Sequence, residues 1–454
     1  MLTVEEIVEA TAAKLTAAPE NGRSQAFQRV VVDSRQANPG SLFVALKGER
    51  VDGHDFISDA IARGATGLLV HLPPVEVPAG VAVLQVADPL AALWALARQR
   101  RERSRVRVIG ITGSVGKTTC KELTASVLSL RYVTLKNEGN LNTEIGLPLT
   151  LLELTSQHQA AVLEMGMFAA GDIALLCELA RPDVGVITNI GPTHMERLGS
   201  LEAIAAAKAE LIESLPAEGV AILSRDDPLV SALAGRTKAR VLWYGTTAES
   251  DIRGDSIESR GLDGFSFDLT YAGETVRVST PLPGRHNLHN LLAAAAVGLT
   301  EGLSLAEVAE ALGKARPTFR LRVVAGANGS TIIDDSYNAS PISVLAALDL
   351  LAETPGRHLA LLGDMRELGA AEAEGHAAIG RRGASTTDVL YATGEKASLI
   401  ADAARAAGHP DVRIVHDRAE AIEALKQDLR AGDHLLVKAS RALELERVVQ
   451  ALAR

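Results

Sequence analysis

The chain has 454 residues, 47% of them hydrophobic and 22% charged, a composition that suits a globular protein of about three domains. Its formal net charge of −10 argues against a broad nucleic-acid-binding surface, although a small cationic pocket for an anionic metabolite is compatible with it. The longest apolar run, residues 291–299, is too short to span a membrane, and the two cysteines, Cys120 and Cys177, support neither a disulfide framework nor a thiolate zinc site.

The first 87 residues are predicted to form a small α/β domain. A helix is expected near residues 3–15 and another after Gly53. Strands are expected near residues 30–32, 41–45, 67–70 and 82–86. The N-terminus is acidic and amphipathic and carries no basic signal-peptide region, which favours a cytosolic protein. A loop over residues 32–54 holds Ser34 and Lys47 on either side of a Pro39-Gly40 turn. Its polar residues are as typical of an ordinary turn as of a ligand-binding site.

A second domain is predicted over residues 88–316, because Asp88-Pro89 begins a helix rich in alanine, leucine and arginine. Short apolar runs predict strands of a mostly parallel sheet with helices on both faces. They lie near residues 106–111, 161–165, 184–188 and 220–223. Alternating polarity between residues 264 and 282 predicts an antiparallel hairpin around Ala272-Gly273.

The first of these strands leads into the glycine loop, residues 113–116, and a helix beginning near Lys117. Gly113 and Gly116 allow backbone N–H groups to face a phosphate, Lys117 is long enough to reach it, and Thr118 can serve as a ligand for Mg²⁺. The match to a P-loop is imperfect, since five residues rather than four separate Gly110 from Gly116. The alternative is a glycine turn with a surface lysine.

Two further strands end in residues that suit phosphate chemistry. Glu164 stands at the end of the second strand, and His194 follows the third by way of a Gly-Pro turn. Ligands gather at the carboxyl ends of strands in parallel sheets, so these side chains are expected to face the same phosphates as the glycine loop. The alternatives are a carboxylate in a surface ion pair and a hydrogen-bonded loop histidine.

Lys208 interrupts the apolar stripe of a helix predicted after Gly199-Ser200, four residues after Ile204 and three before Leu211. Burial would lower the pKa of this amine, because desolvation disfavours the charged form. A neutral amine reacts with CO₂ to give a carbamate, an anion that binds metal. The alternative is a lysine that extends from the edge of the stripe to solvent.

A third domain, residues 317–454, is predicted after Arg316-Pro317 as a Rossmann-like, doubly wound α/β unit. Its expected strands lie near residues 331–334, 358–362, 388–392, 412–415 and 433–437, with a helix from Pro341. It has no glycine loop of its own, so a nucleotide is expected in the cleft between the second and third domains.

In this order the motifs closely resemble those of the Mur ligase family, the ATP-dependent amide-forming enzymes of bacterial peptidoglycan precursor synthesis. The motifs are Gly113-Ser-Val-Gly-Lys-Thr-Thr119, Glu164-Met-Gly166, Asn189-Ile-Gly-Pro-Thr-His194, the Lys208 helix, Gly284-Arg-His-Asn-Leu-His-Asn290 and Asp334-Asp-Ser-Tyr-Asn-Ala-Ser-Pro341. The last motif, with Gly363-Asp-Met-Arg-Glu-Leu-Gly369, is similar to that of the members that add D-alanyl-D-alanine to UDP-N-acetylmuramoyl-tripeptide. The first domain resembles the uridine-nucleotide module that the tripeptide-forming and pentapeptide-forming ligases share, and it separates the chain from folylpolyglutamate synthases.

The resemblance implies roles for individual residues. The catalytic set is Lys117, Glu164, His194 and Lys208. ATP contacts are implied for Gly113, Ser114, Val115, Gly116, Lys117, Thr118, Thr119, Asn290, Arg320, Asp335 and Asn338. Two Mg²⁺ ions are expected, one held by Thr118 and Glu164 and the other by His194 and carbamylated Lys208. The muramyl nucleotide is expected at Asn137, Asn140, Asn142 and Thr143, which otherwise form a polar loop with a helix N-cap, and its uridine diphosphate at Ser34 and Lys47.

By the same resemblance the substrates are ATP, the muramyl tripeptide nucleotide and D-Ala-D-Ala, and the enzyme is expected to be a monomer without nucleic-acid partners or membrane insertion. Two positions depart from the family pattern: Val115 replaces an asparagine, and Ala439 replaces a glycine in Lys438-Ala-Ser-Arg441. The alternatives that stay open are another amino-acid-adding ligase of the family, for example a tripeptide-forming one, and a P-loop kinase or nucleotide switch.

Overall fold

The computed structural model describes residues 1–18, 21–48, 50–74, 76–193, 195–316 and 321–454. Two compact units divide the chain. The first comprises Met1–Ile109, Val133–Gly166 and Asp172–Pro182, and the second comprises Gly110–Tyr132, Met167–Gly171 and Asp183–Arg454. Among the described residues, no helix combines the length and apolarity that crossing a bilayer requires.

The N-terminal part is built on a five-stranded sheet. Its elements are β1 (Leu2–Thr3), α1 (Val4–Thr11), β2 (Lys14–Ala17), β3 (Ala26–Phe27), β4 (Arg29–Val31), β5 (Ser41–Val44), α2 (Ile57–Ala62), β6 (Ala65–Val70), β7 (Ala82–Gln85) and α3 (Pro89–Glu102). The strand order is β2-β7-β6-β5-β4, with β2 antiparallel to β7 and the other pairs parallel. Asp88 caps α3 by accepting hydrogen bonds from two N–H groups of its first turn, as the Asp-Pro pattern predicts.

The predicted first helix is too long. It ends at Thr11, because Ala12 takes a left-handed conformation with φ 53°. The following residues form β2, an edge strand paired with β7. Partly buried Leu15 and Ala17 alternate with exposed neighbours, which is the period of a strand rather than a helix.

The central part continues the chain with alternating strands and helices. Its elements are β8 (Arg107–Thr112), α4 (Lys117–Leu128), β9 (Thr134–Lys136), α5 (Gly146–Leu152), β10 (Ala160–Glu164), α6 (Asp172–Ala180), β11 (Val184–Ile187), α7 (Met195–Leu198), α8 (Leu201–Glu213), β12 (Val220–Ser224), α9 (Pro228–Ser231), β13 (Arg240–Gly245), β14 (Ile252–Ser259), β15 (Phe265–Tyr271), β16 (Glu274–Thr280), α10 (Leu288–Thr300) and α11 (Leu305–Lys314).

In the second unit, β11, β12, β13 and β14 lie side by side in parallel. β15 and β16 extend this sheet in antiparallel fashion and form the predicted hairpin, in which Ala272 and Gly273 both have positive φ. In the first unit, β10 pairs in parallel with β9. The strands β11 and β12 are fully buried, as expected for a parallel sheet covered on both faces.

The C-terminal part is a six-stranded sheet. Its elements are β17 (Arg322–Ala325), β18 (Thr331–Asp334), α12 (Pro341–Ala352), β19 (His358–Leu362), α13 (Glu372–Thr386), β20 (Val389–Thr393), α14 (Ala397–Ala406), β21 (Val412–Val415), α15 (Arg418–Asp428), β22 (His434–Lys438) and α16 (Glu446–Leu452). The strand order is β17-β18-β22-β19-β20-β21, parallel except for the edge strand β17.

Two apolar clusters cover the two faces of this sheet. One joins Ile333 and Leu436 to helices α12, α13 and α14, and the other joins Ile332 and Leu435 to α15 and α16. Neighbouring residues of one strand therefore point to opposite layers, so the sheet is doubly wound. The α/β fold class expected from the sequence is confirmed, whereas the domain boundaries at residues 88 and 317 stay predictions.

Candidate active site

The glycine loop connects β8 to α4 and needs glycine at both ends. Gly113 has φ 149°, and a Cβ atom there would lie 1.9 Å from Oγ1 of Thr188. Gly116 has φ 87°, and a Cβ atom there would lie 2.5 Å from Oδ1 of Asn290. The backbone conformation and the close neighbours both exclude a side chain at these positions. Asn290, predicted to contact ATP, is thus placed against the loop.

A segment that follows β11, residues 188–191, holds the glycine loop in place. The N–H groups of Ser114 and Val115 donate to the main-chain oxygen and to Oδ1 of Asn189, each at 2.9 Å. Asn189 Nδ2 and Thr188 Oγ1 donate to the Val115 carbonyl at 2.8 and 2.7 Å. The loop thus uses the main chain of Val115, which explains why valine is accepted there. Two predicted phosphate donors are engaged within the protein, and their contact with ATP stays a prediction.

Lys117, Thr118 and Thr119 form the first turn of α4. The Lys117 Nζ atom donates to the carbonyl oxygens of Gly113 and Ser114 at 2.8 and 3.2 Å, so the amine lies over the loop. Gly116 at the N-cap contributes no side chain to cap this helix. The positive end of the helix and the Lys117 ammonium therefore meet at the glycine loop.

Lys208 is buried on α8, with 1% of its surface exposed, among buried Ile204, Leu211 and Ile212. Burial, and then the positive charge of Lys117, hold the pKa of the Lys208 amine well below its usual value. Among the described residues it has no hydrogen-bond or ion-pair partner. The alternative of a lysine extending to solvent is wrong, since the side chain is buried, and this burial favours the neutral form of the amine.

In the first unit, Glu164 ends β10 and is 4% exposed. Its Oε1 atom accepts a hydrogen bond from Asn142 Nδ2 at 2.8 Å, whereas its buried Oε2 atom has no hydrogen-bond partner in the part of the chain that the structure describes. An unpartnered buried carboxylate oxygen is costly unless a cation or donor binds it. The environment of Glu164 therefore favours a ligand.

Asn137 supports Glu164 from the neighbouring strand end. Its Oδ1 atom accepts from the Glu164 N–H at 2.9 Å, and its Nδ2 atom donates to the carbonyls of Glu164 and Leu141 at 3.0 and 2.8 Å. The side chain is fully buried. The predicted contact of Asn137 with the muramyl nucleotide therefore gains no support from the structure, which gives it a positioning role.

The remaining predicted substrate residues of the first unit lie on loops. Asn140 is exposed. The Thr143 hydroxyl accepts weakly from the N–H groups of Ile145 and Gly146, but the N-cap of α5 is Ile145 rather than Thr143. Ser34 is buried and its hydroxyl bonds to Asp59, which lowers the pKa of that carboxyl. Lys47 is exposed, and its main chain forms an isolated antiparallel β-bridge with Asp52. Their contacts with a nucleotide stay predictions.

Asp335 and Asn338 lie after β18 in the C-terminal part. Asp335 forms a buried ion pair with Lys438, whose Nζ atom also donates to the Asn338 carbonyl at 3.2 Å. Lys438 is 1% exposed and ends β22. Sequence reasoning assigned no role to Lys438, although its motif was visible. Ala439, the departure from the expected glycine, is fully buried in the apolar cluster of α15 and α16.

Sequence reasoning also missed two adjacent carboxylates, Asp226 and Asp227. Asp227 Oδ2 accepts from the N–H of Ile190 at 2.9 Å and so holds the segment that grips the glycine loop. Asp226 Oδ2 pairs with His289 Nε2 at 2.8 Å, next to Asn290. The Asp-Pro pair at Asp227 was the available signal, since it marks a helix N-cap.

Two predicted site residues, His194 and Arg320, lie outside the described residues. Among those that the structure does describe, no group of three or more His, Cys, Asp or Glu side chains is arranged to hold a metal ion. The predicted second metal depends on His194, so the two-metal arrangement stays a prediction.

Three family models match this chain. They are described as "Mur ligase family, catalytic domain" over residues 27–101, "Mur ligase middle domain" over residues 111–298 and "Mur ligase, glutamate ligase domain" over residues 319–441. A protein of Bacillus subtilis (strain 168), named UDP-N-acetylmuramoyl-tripeptide–D-alanyl-D-alanine ligase, is 38% identical over 99% of this chain and 98% of its own length. The chain belongs to the Mur ligase family.

Solved structures of Mur ligases share the fold of this one. A crystal structure of MurF from Acinetobacter baumannii gives a TM-score of 0.88 at 32% identity, covering 99% of this chain and 98% of that one. A structure of MurF ligase from Thermotoga maritima in complex with ADP gives 0.80 at 31% identity, covering 93% and 96%. The family and fold predicted from the motifs are confirmed.

Proposed function

We propose that this Mur ligase joins D-alanyl-D-alanine to UDP-N-acetylmuramoyl-tripeptide, with conversion of ATP to ADP and phosphate. The product is the UDP-N-acetylmuramoyl-pentapeptide of peptidoglycan precursor synthesis. The observation that carries this proposal is similarity over almost the whole chain to relatives named for that reaction. The ADP complex of the Thermotoga relative supports ATP as the nucleotide. Because the reaction consumes ATP, we also propose a cytoplasmic location.

The reaction requires activation of a carboxylate, which does not react with an amine as it stands. The terminal carboxylate of the tripeptide attacks the γ-phosphorus of ATP, and the bond to the ADP oxygen breaks. The amine of D-Ala-D-Ala attacks the carbonyl carbon of the resulting acyl phosphate. Phosphate leaves with the bonding electron pair, and the nitrogen loses a proton. The protein contributes positioning and charge neutralisation.

The glycine loop and the first turn of α4 bind the phosphates of ATP. The Lys117 ammonium exchanges the carbonyl oxygens of Gly113 and Ser114 for phosphate oxygens, which carry full negative charge and are the stronger acceptors. The N-terminus of α4 adds its dipole. On the other side of the loop, Asn290 lies within reach of the nucleotide, since it packs against Gly116.

The free carboxylate oxygen of Glu164 suits Mg²⁺ as a ligand. Its Oε2 atom is buried and has no hydrogen-bond partner among the described residues, and Mg²⁺ prefers hard oxygen ligands. Thr118 is the second expected ligand through its hydroxyl. When bound, Mg²⁺ neutralises charge on the phosphate oxygens. Asn142 holds the other oxygen of Glu164 and so fixes the direction in which Oε2 points.

The environment of Lys208 favours the proposed carbamate on its amine. The neutral amine attacks CO₂, a nitrogen–carbon bond forms, and one proton is released. Burial and the charge of Lys117 both disfavour the ammonium form, and the same positive charge favours an anion at this position. With His194, the carbamate would hold a second Mg²⁺.

The proposal is tested by ADP release from the purified chain with UDP-N-acetylmuramoyl-tripeptide and a panel of amines. We expect release to depend strictly on D-Ala-D-Ala, with single amino acids giving less than a hundredth of that rate. Faster release with a single amino acid would identify another amino-acid-adding ligase. A phosphorylated product formed without any amine would identify a kinase, and Lys117→Ala controls for contaminating ATPase.

A further inference from the structure

A crevice of about 350 Å³ opens in the first unit, lined by residues of α1, α3 and the segment that precedes β10. Its apolar wall consists of buried Leu2, Leu96 and Leu154. The rest of the lining is polar and includes three arginines, Arg100, Arg103 and Arg105. Nothing in the proposed ligase reaction uses this crevice.

The charge of the crevice comes from an arginine-rich segment. Six of the ten residues 98–107 are arginine, in a chain whose net charge is −10. Arg100 and Arg105 line the crevice. Arg100 donates to the main-chain oxygens of Met1 and Leu154, which carry no charge, at 2.8 and 3.5 Å. Arg105 is exposed and has no hydrogen-bond or ion-pair partner among the described residues.

Among the described residues that line the crevice, Glu6 is the only carboxylate. It is already engaged, since its Oε2 atom accepts from the Thr3 N–H at 2.9 Å and its Oε1 atom from Arg103 at 3.1 Å. Arg103 also pairs with Glu9 at 3.0 Å. The charge of Arg103 is therefore neutralised by two carboxylates. Among its described residues, the lining contains no carboxylate that neutralises the guanidinium charges of Arg100 and Arg105.

Two neutral side chains in the lining can also donate hydrogen bonds. The Thr155 N–H donates to Nδ1 of His158 at 3.0 Å, so the neutral imidazole carries its proton on Nε2. The Ser104 hydroxyl oxygen accepts from the Val106 N–H at 3.2 Å, which leaves the hydroxyl proton for another acceptor. A lining that combines uncompensated guanidinium groups with such donors suits an oxyanion.

The crevice is remote from the catalytic carboxylate. His158 lies just before the amino end of β10, and Glu164 lies at its carboxyl end. Five of the residues up to Glu164 form the extended strand β10, at roughly 3.3 Å each, so the length of the strand alone separates the two ends by more than about 13 Å. A ligand of the crevice therefore does not contact the reacting groups near Glu164.

We propose that this crevice binds the phosphate group of a small metabolite, with Arg100 and Arg105 as its charged contacts. Two guanidinium groups match the charge of a phosphate monoester and bind its oxygens in pairs. The apolar wall of Leu2, Leu96 and Leu154 accommodates an attached organic group. Inorganic phosphate and a nucleoside monophosphate share the recognised chemistry.

The test is calorimetric titration of the full chain with inorganic phosphate, uridine monophosphate and uridine. Lys117→Ala serves as the parent protein, because it suppresses phosphate binding at the glycine loop. We expect one phosphate-dependent site in this parent and at least tenfold weaker binding when Arg105→Gln is added. Arg105 is exposed and has no hydrogen-bond or ion-pair partner among the described residues, so its replacement is expected to leave the fold intact.

Arg98→Gln is the matched control, because Arg98 belongs to the same arginine-rich segment but pairs with Glu178 at 2.6 Å and does not line the crevice. It should change the affinity less than twofold. Only binding that Arg105→Gln weakens is assigned to the crevice, because the uridine-nucleotide site expected at Ser34 and Lys47 does not include Arg105. For that binding, uridine monophosphate more than fivefold tighter than phosphate indicates a nucleotide ligand, and equal affinities indicate free phosphate. The proposal is overturned if Lys117→Ala binds neither anion, if Arg105→Gln leaves binding unchanged, or if uridine binds as well as its monophosphate.

Discussion

At the scale of single residues, Lys208 shows what can and what cannot be predicted from the sequence. Its position on the stripe of α8 predicted a choice between burial and extension to solvent. The choice depends on residues from other elements, which periodicity does not reveal. In the structure Lys117 lies near enough for its charge to lower the pKa of Lys208. The pairing of Asp335 with Lys438, 103 residues apart, was hidden for the same reason.

Lys208→Ala should lose at least 99% of ligase activity yet retain ATP binding, because the glycine loop is intact and only the proposed carbamate is removed. Acetate should restore part of the activity, since a small carboxylate fits the vacated space and supplies the missing anion. The measurement is ADP release over a series of acetate concentrations, with ATP affinity determined by titration.

Lys117→Ala is the control for this rescue. It should be inactive and unresponsive to acetate, since it lacks a cation over the glycine loop rather than an anion. Full activity of Lys208→Ala, or equal rescue of both variants, would contradict the carbamate.

At the scale of elements, the glycine loop and its helix were predictable from the sequence, but the segment that holds the loop in place was not. Two glycines and a lysine between an apolar strand and a helix are a local pattern. The segment at Thr188 and Asn189 that holds the loop lies more than 70 residues further along the chain. The strands β14 and β17 were not predicted, since polar and charged residues interrupt the apolar residues of β14 and the apolar stretch of β17 is only three residues long.

Gly113→Ala should weaken ATP binding at least tenfold and destabilise the protein by about 1–3 kcal/mol, because alanine is strained at positive φ and its Cβ would meet Thr188 Oγ1 at 1.9 Å. Relieving that contact displaces the segment that positions the loop. Thermal unfolding and nucleotide titration measure the two effects.

Gly235→Ala is the matched control, since no atom lies within 4 Å of the Cβ position and its φ is not positive. It should change stability by less than about 0.5 kcal/mol and leave nucleotide binding unchanged. If Gly113→Ala behaves like Gly235→Ala, the glycine loop does not need the conformation described here.

At the scale of the whole molecule, the sequence predicted the order of the α/β stretches, but not how the second unit joins its central and C-terminal parts. Glu353, directly after α12, pairs with Arg285 at 2.9 Å and accepts a short hydrogen bond from Ser259. Both partners belong to the central part. Arg285 opens the 3-10 helix that precedes α10 and Asn290, so this contact links the C-terminal part to a proposed ATP contact.

Glu353→Gln should raise the KM for ATP about two- to fivefold and change kcat less than twofold, because a half-exposed ion pair contributes up to about 1 kcal/mol. The effect should shrink at high salt, where the wild-type pair is already screened. Steady-state kinetics at low and high ionic strength measure both. Glu374→Gln is the control, since Glu374 pairs with Arg381 within α13 and has no hydrogen bond or ion pair to a central residue among those described. An equal KM change in the two variants, or none in Glu353→Gln, would show that this contact does not couple the two parts.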